Sequence, residues 1–345
     1  MRRSAFLVRT LICSLLALLV GCASAPQTQQ LLQTSNGLPS HSELTDTPFF
    51  PQERYQCGPA ALATALKHSG VDIDAATLID EIYLPSRQGS LQIEILASSR
   101  RHGRLPYRIP AEMSALLKEI TVGNPVLVLQ NLGLSWAPQW HYAVAVGFDL
   151  AQQEIILRSG TEARHRTNMN TFEHTWARSQ HWGIVILPAD TLPATATAES
   201  YLRSVVSLES TQLKDRWQLA NTAYRTALIR WPKNLVAQMG IGNSAYQLAD
   251  LNAAADAFRN ALRDHPDTAA AHNNLAQVLM ELVVMKNGKL AEAEKHAQRA
   301  VELGGPHLET YRETLSEIQR AKEIFANRIP VSTAPMYSNQ RSATK

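Results

Sequence analysis

Hydrophobic positions along the chain follow two rhythms, and the change from one to the other falls inside the first globular segment. Residues 11–20 are an apolar run behind a basic start. That run is too short to span a bilayer. Pro48-Phe49-Phe50-Pro51 opens the globular part. Four helices are expected next. Ala60 to Lys67 favours helix, with Pro59 suited to a first turn and Gly70 able to end it. Asp74 to Leu84 follows, with Asp74 as N-cap and Pro85 beyond its end. Ser90 to Arg101 is a third, stopped by Gly103, and Ala111 to Ile120 a fourth. Then the rhythm shortens. Pro125 to Gln130 reads as a buried strand by its continuous apolar run. His141 to Phe148, Glu154 to Arg158 and Trp182 to Leu187 read as further strands, and Asp149 to Gln153 as a short loop. Helices first and an antiparallel sheet afterwards predict an α+β domain over residues 45–190.

Residues 191–200 are rich in Pro, Ala and Thr and read as a linker. Beyond them a 34-residue repeat appears: Ala220, Tyr224, Ala227 and Pro232 recur as Ala254, Phe258, Ala261 and Pro266. Gly242 and Ala276 are also 34 residues apart. A third unit, Ala293, Ala297 and Ala300, is shifted by five residues, which places an insertion at Val283 to Asn287. Small-aromatic-small spacing of this kind lets paired helices interlock. Leu308 to Phe325 reads as a capping helix, and residues 326–345 as a disordered tail.

Charge and cysteine count sharpen the picture at the N-terminus. Arg2, Arg3 and Arg9, the apolar run and the ending Leu19-Val20-Gly21-Cys22 make residues 1–21 a secretory signal. The ending resembles a bacterial lipobox, which implies lipidation of Cys22; ordinary secretion with cleavage near Ala23 or Ala25 is the competing reading. Residues 22–44 are expected to be a flexible tether. The lipid implies a cell-envelope protein, and Ala23 rather than Asp after the cysteine resembles outer-membrane sorting, which implies the outer membrane, facing the periplasm. Loss of the signal removes three arginines and no acids, so the formal charge falls from +3 to zero. No basic patch points to nucleic acid, and membrane attachment is expected through the lipid alone.

Cys13 leaves with the signal and Cys22 carries lipid, so Cys57 is the only free thiol of the mature chain. A disulfide framework is therefore excluded. There is no CxxC; His102 and His141 are far apart in sequence, and His165, His174 and His181 lack metal-ligand spacing, so neither a metal nor a cofactor is expected.

Candidate chemistry lies in two stretches, Gln52-Glu53-Arg54-Tyr55-Gln56-Cys57-Gly58-Pro59 and His141-Tyr142-Ala143-Val144-Ala145-Val146-Gly147. Cys57 is placed at a helix N-terminus, where the partial positive charge lowers a thiol pKa. His141 leads an apolar strand. A Cys and a His brought together in space are the minimum for nucleophilic catalysis. On spacing alone, a core thiol and a structural histidine remain the other reading. Trp136 and Trp140 flank His141 and are either a groove wall or packing. Arg158, Arg164 and Arg166 bind a carboxylate or belong to a solvated loop.

A nucleophile on a helix facing a base on a strand is the layout of papain-like enzymes. The Cys-Gly-Pro-Ala-Ala block, Gly-Asn-Pro-Val-Leu-Val-Leu at 123–129 and His-Tyr-Ala-Val-Ala-Val-Gly-Phe-Asp at 141–149 resemble the peptidase family that processes bacteriocin leaders. They resemble its secreted stand-alone relatives most. The resemblance implies Cys57 as nucleophile, His141 as base and Gln52 as oxyanion-hole side chain beside the Cys57 N–H. Two such donors are each worth ~3 kcal/mol in a hydrolase. Two departures stand out. Gln52 is five residues before the cysteine rather than six, and Gln56, adjacent to Cys57, does not substitute. The acid that the family places about 16 residues after the histidine is missing from Ile155 to Thr161. Asp149 lies about 26 Å along the same strand at ~3.3 Å per residue. Ser159 is the candidate orienter of the imidazole. The 34-residue period resembles the tetratricopeptide repeat, which implies a surface for a protein partner over 201–325.

The expected architecture is an α+β papain-like cysteine peptidase domain followed by an all-α tetratricopeptide-repeat solenoid. The expected activity is hydrolysis of a peptide or protein substrate. The alternatives are a catalytically degenerate peptidase fold acting as a binding module, and a related thiol acyltransferase or amidase.

Overall fold

The computed structural model describes residues 25–34, 37–52, 55–286 and 290–328. The signal, Cys22 and the tail beyond Arg328 lie outside the described residues. The chain divides into two compact units, Met1–Pro232 and Lys233–Lys345.

The first unit is built on one antiparallel sheet and a buried helix. Helix α1 is Pro26–Gln33 and strand β1 is His41–Glu43. Helices α2 (Cys57–His68), α3 (Ala75–Ile82) and α4 (Gln92–Arg101) follow. Next come β2 (Leu105–Arg108), α5 (Met113–Thr121), β3 (Val126–Asn131), β4 (Trp140–Asp149), β5 (Glu154–Ser159) and β6 (Glu162–Asn168). Helix α6 (Met169–Ala177) leads into β7 (Gly183–Leu187). The strand order is β2-β7-β3-β4-β5-β6, with β1 added beside the end of β4. Helix α2 lies against the middle of this sheet. Leu62 and Leu66 are fully buried against Leu127, Leu129, Val144 and Ile184. Burial of each such leucine contributes ~1.5–3 kcal/mol. The apolar run Val126–Leu129 of β3 is explained in the same way: it is buried throughout, as are Gln130 and Asn131 after it.

Several expected elements are present. The Asp74 side chain caps α3 by accepting from Thr77 N at 2.8 Å. The β4–β5 connection falls on residues 150–153. The flexible tether over 22–44 is not what the described residues show. Residues 26–33 are helical, and 41–43 pair with Gly147, Phe148 and Asp149. The reason is a distant cap. Buried Glu173 accepts from Gln27 N at 3.0 Å and from Thr28 N at 2.6 Å, satisfying free N–H groups of the first turn of α1. Gln27 in turn accepts from Met113 N at 2.7 Å at the start of α5.

Helices α7 (Ala198–Glu209) and α8 (Arg216–Arg230) also belong to the first unit, with α7 packed on β2. The segment before them is held in place rather than loose. Buried Glu119 accepts from Asn124 Nδ2 at 2.7 Å, Ala194 N at 3.1 Å, Thr195 N at 2.8 Å and Thr195 Oγ1 at 2.5 Å.

The second unit is helical: α9 (Leu235–Gln247), α10 (Leu251–Asp264), α11 (Ala269–Lys286), α12 (Ala291–Leu303) and α13 (Leu308–Arg328). Consecutive helices pack on one another around Ala254, Phe258, Leu275, Ala276, Ala293 and Ala297. The repeat spacing explains the interlock. A Cβ on Gly242 would sit 2.4 Å from the Phe258 ring, so only glycine admits that aromatic. Helix α11 has 18 residues against 13 in α9. The five-residue offset of the third unit is thus absorbed largely as extra helix.

Candidate active site

Cys57 is the first residue of α2 and is half-buried. Gln56 precedes it without a side-chain cap. The first-turn N–H groups are therefore left for another acceptor. Gly58 sits against the loop before α4: a Cβ there would lie 2.4 Å from Ser90 Oγ and 2.6 Å from Ser90 Cβ. The Cys-Gly pair brings the helix terminus close to that loop. The lowered thiol pKa expected from the helix terminus is corrected by the packing. Burial is the largest influence and pushes the Cys57 thiol up, against the pull of the N–H groups of Tyr142, Gly58 and Cys57.

His141 stands on β4 opposite Gln130 of β3 and is half-buried. Its Nε2 lies 2.8 Å from Ser159 Oγ, at the end of β5. Burial first, and the charge of His165 second, lower its pKa to about 4. With Nε2–H donating to Ser159, Nδ1 is the basic nitrogen. The turn that carries Ser159 also holds Gln52: Gln52 N donates to Gly160 O at 2.9 Å. The Gln52 side chain reaches toward Tyr142 O at 3.5 Å, a long contact. Residues 53 and 54 lie outside the described residues, and Tyr55 after them is left-handed at φ 71°.

Gln52, Cys57 and His141 line one open cavity of about 980 Å³. No hydrogen bond joins Cys57 to His141 among the described residues; the two face one space as separate, neutral groups. Asp149 is at the far end of β4, paired with His41 at 3.7 Å. The structure therefore brings together all four residues singled out in the sequence, Gln52, Cys57, His141 and Ser159, and leaves Asp149 out.

Other expectations divide. Trp140 lines the cavity, whereas Trp136 is 82% exposed on the β3–β4 loop and does not. The three arginines after β4 are not available to a ligand, nor do they form a solvated loop. Arg158 is buried and donates to the carbonyls of Thr47, Thr45 and Ala163. Arg164 pairs with Glu43 at 2.6 Å and Arg166 with Glu154 at 2.9 Å. The cavity is lined instead by Arg87, Arg108 and Arg178. Those three come from separate segments, and no spacing in the sequence links them.

Residues 44–184 match the model of the Peptidase_C39 like family, and residues 239–307 that of the tetratricopeptide repeat. The chain carries a C39-like peptidase domain and a tetratricopeptide-repeat region. Similar solved structures include the following three. A putative C39-like peptidase from Bacillus anthracis is 16% identical, covering 43% of this chain and 98% of that one, with a TM-score of 0.37. The peptidase domain of Streptococcus ComA, a bifunctional ABC transporter of a quorum-sensing pathway, is 20% identical. It covers 41% of this chain and 98% of its own length, with a TM-score of 0.33. A mutant O-GlcNAc transferase from Thermobaculum terrenum is 21% identical over 38% of this chain and 26% of that chain, with a TM-score of 0.31. No curated protein matches the chain.

Proposed function

We propose that the C39-like peptidase domain is an active thiol hydrolase that cleaves peptide bonds. The observation that carries this reading is the convergence of Cys57, His141 and Gln52 on one cavity, with His141 and Gln52 both tied to the Ser159–Gly160 turn. Cys57 Sγ attacks the peptide carbonyl as His141 Nδ1 takes its proton. The imidazolium then gives that proton to the leaving amine, and water releases the acyl group by the reverse relay. The Cys57 N–H and the Gln52 amide stabilise the oxyanion. Burial keeps thiol and imidazole neutral at rest, so proton transfer accompanies attack rather than preceding it. Ser159 fixes the tautomer but stabilises imidazolium less than a carboxylate.

The test is digestion of a peptide library by the full chain, read by mass spectrometry, with Cys57→Ala and His141→Ala beside it. Cleavage lost in both variants supports the reading. Cleavage that survives in Cys57→Ala, or no cleavage by the wild-type chain, sinks it. The missing acid favours a second reading, a peptide-binding domain without turnover. In either case the repeats supply a surface for a protein partner. Lipid attachment at Cys22, in the cell envelope, completes the proposal; it is supported by the basic start, the apolar run and the Leu-Val-Gly-Cys ending.

A further inference from the structure

The cavity around Cys57 has an uneven charge. Arg87, Arg108 and Arg178 line it, and among the described residues no aspartate or glutamate does. None of the three forms an ion pair among the described residues. Arg108 lies over the Trp182 ring at 5.7 Å and donates to Gln180 O at 3.3 Å. Arg178 donates to Asn131 O at 3.0 Å and Gly133 O at 2.6 Å. These bonds leave N–H donors of both guanidinium groups unspent; Arg87, at the end of a short 3-10 turn over Pro85–Arg87, lines the same cavity. Exposed apolar side chains share the cavity: Trp140 at 53%, Leu91 at 41% and Ile93 at 67% exposed. Elsewhere in this unit Arg101, Arg164 and Arg166 do find acids, whereas Arg158 is met by carbonyls. Three arginines with no ion pair among the described residues, beside uncovered apolar groups, are complementary to a ligand that is apolar and anionic at once.

The geometry points to a peptide substrate with an acidic residue next to large apolar ones. Its apolar side chains lie against Trp140, Leu91 and Ile93, and its carboxylate is held by Arg87, Arg108 and Arg178. This inference rests on the hydrolase reading for turnover but not for binding, so the two are separable.

The experiment uses the full chain carrying Cys57→Ala, to trap binding without cleavage. Three labelled peptides share one apolar sequence and carry Glu, Gln or Lys at the same positions. Affinity is read by fluorescence anisotropy from about 50 mM to about 500 mM salt. The expected order is acidic, then neutral, then basic, with the differences shrinking as salt rises. Arg87→Glu and Arg108→Glu added to this background are each expected to weaken the acidic peptide about tenfold or more, as loss of a charge-assisted bond does. They are also expected to strengthen the basic one. Arg87 is exposed and makes no ion pair, so its reversal leaves the fold intact. Equal affinity for the three peptides, or indifference to both reversals, overturns the inference. Wild-type chain that cleaves all three at equal efficiency overturns it too while sustaining the hydrolase reading. The charge ranking in binding without any cleavage sustains the inference and removes the hydrolase.

Discussion

Ser159→Ala isolates the orienting bond. Ser159 Oγ is 2.8 Å from His141 Nε2, and Ser159 is not among the residues lining the cavity. The change therefore removes a hydrogen bond behind the imidazole and leaves the substrate surface as it was. A neutral hydrogen bond of this kind contributes ~0.5–1.5 kcal/mol. Spent wholly on holding the imidazole through the transition state, that is about two- to tenfold in kcat, at ~1.4 kcal/mol per decade. KM should not move. Ser159→Asp is the converse: a carboxylate beside Nε2 raises the His141 pKa from about 4. It favours the thiolate–imidazolium pair and moves Cys57 alkylation toward lower pH. The assays are steady-state hydrolysis of a fluorogenic peptide and the pH profile of iodoacetamide labelling, with circular dichroism confirming the fold. A thousandfold loss of kcat in Ser159→Ala would refute the reasoning, because it would place Ser159 in the chemistry itself. So would a rise in KM at constant kcat, or an unmoved labelling profile in Ser159→Asp.

Acid should weaken the first unit through His141. Its folded pKa of about 4 lies below the ordinary 6.5, so the unfolded chain binds that proton first. Stability is intact above pH 6.5 and falls as pH drops from there toward 4 and below, by about 3–4 kcal/mol at most; urea unfolding should show a shallower loss in His141→Gln than in wild type. Glu119→Ala strands four donors that now share one buried carboxylate, Asn124 Nδ2, Ala194 N, Thr195 N and Thr195 Oγ1. A loss of about 3 kcal/mol or more is expected by chemical denaturation, since the buried and half-buried donors lose their shared acceptor. Gly242→Ala drives a methyl into the Phe258 ring and should cost ~1–3 kcal/mol in the second unit, despite alanine's higher helix propensity; a melting temperature equal to or above wild type would contradict it.

Periodicity, local capping and small-residue spacing act within a few turns of chain, and those features were legible in the sequence. The α2 and α3 helices, the apolar strands β3, β4, β5 and β7 and the repeat helices all follow from neighbours a few residues apart. So does the placing of Cys57 at a helix start. Ser159 was within reach because strand pairing across a short loop is itself nearly local. What depended on distant partners was not legible. Helix α1 is polar in sequence, and it is Glu173, 145 residues from Thr28, that docks it. Arg158 resembles a surface cation until its four carbonyl acceptors close around it. The protonation of the candidate pair was decided by tertiary structure as well. The helix terminus acts locally on Cys57, but desolvation by the packed sheet acts more strongly and in the opposite direction. The arginine-lined cavity follows the same rule, since three segments with no shared pattern meet only once the chain is folded.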